Sequence, residues 1–99
     1  MIQNVYGSLN ESRKQLYCIA NSIKDSVFDI DITKNYKITG KTKGVYGSTQ
    51  ENCWFNSMDE LVELVPNKII IILSVSGNYV KVVDENRVYW VHKYCLELC

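Results

Sequence analysis

The sequence predicts a β-rich α+β domain: a small, curved antiparallel sheet with an N-terminal helix and a short second helix. Three observations carry this prediction. Ser8-Leu9-Asn10-Glu11 has the S-x-x-E spacing of a helix-capping box, and Leu16, Ile19, Ala20, Ile23 and Val27 follow at the three- and four-residue spacing of one helical face. Ser57-Met58-Asp59-Glu60 repeats the box ahead of Leu61, Leu64 and Val65. From Lys68 to Val91, three runs of β-branched and aromatic residues are separated by Ser76-Gly77-Asn78 and Asp84-Glu85-Asn86, the signature of an antiparallel meander.

In chain order, Ile2 to Tyr6 reads as a short strand closed by Gly7, and the capping box then opens a helix to about Lys24. Phe28, Ile30 and Ile32 alternate with Asp29, Asp31 and Thr33, a strand with one buried and one wet face. Lys34-Asn35 turns the chain into a returning strand, Tyr36 to Thr42, with Gly40 at a bulge or close approach. Gly44 to Phe55 has no period and reads as a long loop carrying Tyr46, Trp54 and Phe55. Pro66-Asn67 stops the second helix. Lys68 to Val75 is apolar on both faces in its middle, which predicts a strand covered on both sides. After the meander, a short turn from His92 to Cys95 precedes Leu96 and Leu98.

With 99 residues, the chain is sized for one domain and one core. Eleven basic residues balance eleven acidic ones, so no overall field draws it to nucleic acid or to an anionic membrane. Lys34, Lys37, Lys41 and Lys43 read as the solvated face of a strand. Met1 to Ser12 lacks the pattern of a secretory signal, and the apolar run Ile69 to Leu73 is too short to span a bilayer, so the expectation is a soluble cytoplasmic protein. In that setting Cys18, Cys53, Cys95 and Cys99 are expected as free thiols.

The stretch from Tyr36 to Leu98 resembles a bacterial SH3 (SH3b) domain. Matching segments are Tyr36 to Gly40; the Gly-Ser loop Gly44 to Ser48; Leu64-Val65-Pro66-Asn67-Lys68; the Gly-Asn turn with Tyr79-Val80-Lys81-Val82; and Tyr89-Trp90-Val91-His92-Lys93-Tyr94-Cys95-Leu96. The chain departs from that family at Tyr79, at Tyr89, and at Cys95, where the groove tyrosine usually stands. The resemblance implies a small SH3-like barrel over residues 36–99 and recognition of cell-wall peptide as one function; the strand-helix-strand segment over 1–35 reads as an extension outside that family.

No catalytic constellation emerges, and no cofactor is implied. His92 is the only histidine, and a lone histidine after a strand reads as a surface or capping residue. Asp29 and Asp31 share a strand face opposite apolar residues, which reads as polar outside and apolar inside. A thiol- or metal-dependent site remains as an alternative, because His92, Cys95 and Cys99 fall as H-x2-C-x3-C with Cys53 to complete a ligand set. The leading expectation is a non-enzymatic module that docks on a protein or peptide. Tyr46, Trp54 and Phe55 in the loop, with Tyr79 and Tyr94, supply the rigid contact area that dominates interface energetics. Size and composition suit a small phage or bacterial effector or inhibitor.

Overall fold

The computed structural model describes residues 14–16, 29–40 and 45–99. Among them are nine strands: β1 Lys14–Gln15, β2 Tyr36–Ile38, β3 Tyr46–Ser48, β4 Trp54–Phe55, β5 Leu61–Glu63, β6 Ile69–Ser76, β7 Tyr79–Asp84, β8 Arg87–His92 and β9 Leu96–Leu98. Three 3-10 turns, Glu51–Cys53, Met58–Glu60 and Lys93–Cys95, are the only helical segments among the described residues. The strands form a two-stranded sheet, β1-β4, and a seven-stranded sheet in the order β5-β3-β8-β7-β6-β2-β9, all antiparallel.

The α+β expectation is therefore corrected to a β-rich fold. Within the predicted N-terminal helix, Lys14 and Gln15 pair with Phe55 and Trp54, and the Leu16 amide donates to the Cys53 carbonyl at 2.9 Å. A capping box is a local signal, and an isolated helix of this length is marginal in water, so strand pairing across the fold overrides it here. The remainder of that helix, with Ile19 and Ile23, and the strand at Ile2 to Tyr6 lie outside the described residues.

The second capping box forms as read, but it caps a single turn. Ser57 Oγ accepts from the Asp59 amide at 3.2 Å, and Glu60 Oε1 accepts from the Asn56 and Ser57 amides at 2.6 and 3.4 Å. Leu61 then returns to extended backbone, because Val62 and Leu64, two residues apart, are both buried in the core. Of the expected strand Phe28 to Thr33, the described residues Asp29 to Thr33 form no strand either. Asp31 Oδ1 accepts from the Thr33 hydroxyl at 2.6 Å and its amide at 2.9 Å, closing a turn that holds the Asp31 carboxyl below its usual range.

The meander is built as the turn residues dictate, with Gly77 at φ 60° and Glu85 at φ 49° supplying the left-handed backbone. Inward side chains alternate along it: Val80 and Val82 on β7 meet Val91 and Tyr89 on β8. They join Tyr36, Ile38, Val62, Leu64, Ile70, Cys95 and Leu96 in one core. Because Val62 on one edge strand and Leu96 on the other belong to the same cluster, the sheet must curl around it. Tyr89 reaches the rim of that core, where its hydroxyl donates to Asp84 Oδ2 at 2.6 Å; burial, and then this bond, push its pKa well above the usual value.

β6 is not covered on both sides. Ile70 is buried, but Ile69 and Ile71 on the outward face are 65% and 66% exposed, and a bulge between Ile72 and Ser74 interrupts the register.

Candidate partner-binding surface

On the outward face the same alternation places Tyr46 and Ser48 on β3, Tyr79 and Lys81 on β7, and Trp90 and His92 on β8. Gly47 between the first two faces inward: a Cβ there would meet the Trp90 carbonyl at 2.4 Å and the Val91 and Tyr89 side chains at 3.1 and 3.3 Å. Ser48 lies opposite Trp90, and Tyr79 opposite His92.

Ser48 is fully buried although it points outward, because the chain folds back over it. Its hydroxyl donates to the Trp54 carbonyl at 2.7 Å, and the Glu51–Cys53 turn packs on β7 and β8. Asn52 and Cys53 adopt φ 56° and 62°, a left-handed pair that redirects the chain into β4. The expected loop is thus a built segment, and Phe55 within it is fully buried and offers no contact surface. Trp54 is half-buried, its backbone tied to Gln15 through β1.

The three tyrosines of the expected surface stay accessible. Tyr46 is 37% exposed, and Tyr79 and Tyr94 are half-buried. His92 sits between the last two: its ring lies 5.2 Å from the Tyr79 ring, edge to face, and 5.0 Å from the Tyr94 ring, tilted by 34°. Tyr46 lies on the neighbouring strand β3, which pairs with β8 at Ser48-Trp90.

His92 also caps the turn that presents Tyr94. Its Nδ1 accepts from the Tyr94 amide at 3.2 Å, which assigns the ring proton of the neutral imidazole to Nε2. The Lys93 amide donates to the Asn78 carbonyl at 2.8 Å, tying the turn to the β6-β7 hairpin. Burial, with the Lys93 charge adding to it, lowers the His92 pKa and keeps the ring neutral at pH 7. Lys93 Nζ lies 5.9 Å from the centre of the Tyr94 ring.

The H-x2-C-x3-C spacing does not become a ligand set. Cys95 is buried in the core, Cys99 is exposed, and among the described residues no three His, Cys, Asp or Glu side chains gather to hold a metal ion. Two features escaped sequence reasoning. The histidine's role as organiser of the tyrosines depends on a cross-strand pairing, and the open aliphatic face of β6 depends on what packs above it. The register Tyr79-His92 could have been found by counting back from the two hairpin turns.

Among the described residues no helix is long and apolar enough to cross a membrane. Comparison with protein-family models, with curated proteins and with solved structures finds no match for this chain.

Proposed function

We propose that the chain is a binding module that engages a protein or peptide partner through the aromatic face made by Tyr46, Tyr79 and Tyr94 around His92. One observation carries this reading: Tyr79 and Tyr94 pack on the two sides of the His92 ring, and the accessible Tyr46 lies on the outward face of β3, where polar and charged residues are the ordinary occupants. Tyrosines held this way lose little freedom on binding and bring an apolar ring and a hydroxyl to the same contact. The mixed charges around them, Glu63 opposite Tyr46 and Lys93 beside Tyr94, suit a peptide surface better than a uniformly anionic strand.

The test is partner capture by the wild-type chain, followed by affinity measurements on Tyr79→Ala, Tyr94→Ala and an Ile71→Lys control on the β6 face. Loss of roughly tenfold or more for the tyrosine variants, with the control unchanged, supports the aromatic face. Loss confined to Ile71→Lys would transfer the function to β6 and end this reading.

A further inference from the structure

His92 holds this surface together through an acceptor that a proton would abolish. Its Nδ1 takes the Tyr94 amide hydrogen, its ring packs between Tyr79 and Tyr94, and the residue is 8% exposed. Protonated imidazole carries hydrogens on both nitrogens, so it cannot accept that bond. We propose that His92 is an acid-operated latch: its protonation frees the Tyr94 amide and disperses Tyr94 from Tyr79, while the Lys93 and Cys95 backbone bonds hold the rest of the turn in place. This rests on the proposed function only in calling the face a binding surface; the latch is a property of the free chain.

Burial first, and then the Lys93 charge, bias the histidine toward the neutral, latched form. From the turn come Lys93 and Tyr94, and from β7, Tyr79 and, one row along, Lys81; on the neighbouring strands β3 and β5 the titratable residues are Tyr46 and Glu63, paired with each other. Glu51 heads the turn packed on β7 and β8. Lys93 is the nearest charge in sequence and opposes a second positive charge, in keeping with the lowered pKa. The latch therefore opens below the ordinary histidine range, on acidification past about pH 6.5.

The experiment is an NMR titration of the free protein between about pH 7.5 and 4.5, following the His92 ring and the Tyr94 amide together. In the wild type both should move with one midpoint below about 6.5, and Tyr94 amide protection against exchange should fall about tenfold beyond the intrinsic pH effect, the factor one ordinary hydrogen bond supplies. His92→Asn places a pH-independent acceptor at the cap, so its Tyr94 amide should show no such transition. A Tyr94 amide that stays protected while His92 titrates, or that is released equally in His92→Asn, overturns the latch. Because no partner enters the measurement, its failure leaves the binding reading standing, and a failure of binding leaves the latch intact.

Discussion

Gly47→Ala is the substitution whose cost the structure fixes most closely. The added methyl would sit 2.4 Å from the Trp90 carbonyl oxygen, short of ordinary non-bonded separation by on the order of 1 Å. The obstacle is backbone in β8 and cannot rotate aside, and the Val91 and Tyr89 side chains at 3.1 and 3.3 Å close the lateral escape. β3 must therefore lift from β8, which places the cost at the upper end of core overpacking, about 3 kcal/mol. For a domain of this size that corresponds to a fall in melting temperature on the order of 10–20 °C. Gly40→Ala is the matched control. Its methyl would also collide, at 2.8 Å, but with the end of the exposed Asn67 side chain, which can swing away. It should cost under about 0.5 kcal/mol, as exposed substitutions do. Thermal unfolding of both variants, monitored by circular dichroism, decides: equal melting temperatures would refute the close β3-β8 packing that sets Tyr46 on the aromatic face.

Tyr89→Phe removes the donor to Asp84, a carboxylate that is 4% exposed and keeps only Arg87 Nη2 at 3.5 Å. Denaturant titration should show a loss of about 1–3 kcal/mol with an unchanged slope; an unchanged midpoint would mean water replaces the hydroxyl. The lowered His92 pKa makes stability depend on pH with a definite sign. The unfolded chain binds the proton more readily, so the contribution is complete above about pH 6.5 and is lost as pH falls through the folded value. Unfolding free energy should decline over that acid window in the wild type and less steeply in His92→Asn; parallel curves would remove the histidine as the cause. Lys68→Ala breaks a 3.0 Å surface pair with the exposed Glu85 and should shift stability by less than about 1 kcal/mol in the same assay.

The meander was legible because its signals are local and agree. Gly77 and the Asp84-Glu85-Asn86 turn fix the two reversals, and alternation around Val80, Val82, Tyr89 and Val91 sets the buried face. The helices were not, because their signals compete with pairings the sequence does not display. Lys14 and Gln15 follow a capping box yet pair with β4, and Leu61 to Leu64 fits both a helical and an alternating pattern, which Val62 resolves only once β3 lies beside it. Burial of Phe55 and exposure of Ile69 and Ile71 depend on which segment lies across the outer sheet face, and composition carries nothing about that. In the candidate site, Tyr46, Tyr79 and Tyr94 follow from residue type, whereas the meeting of Tyr79 with His92 follows from register.

The central claim is that a partner meets the chain at the tyrosines around His92, and site-specific photocrosslinking tests it most directly. A photoreactive phenylalanine analogue placed in turn at Tyr46, Tyr79 and Ile71 keeps each position aromatic or apolar and reports only what lies against it. Covalent adducts to the captured partner are expected from positions 46 and 79 and none from position 71. Adducts from position 71 alone, with folded protein at all three positions, would contradict it.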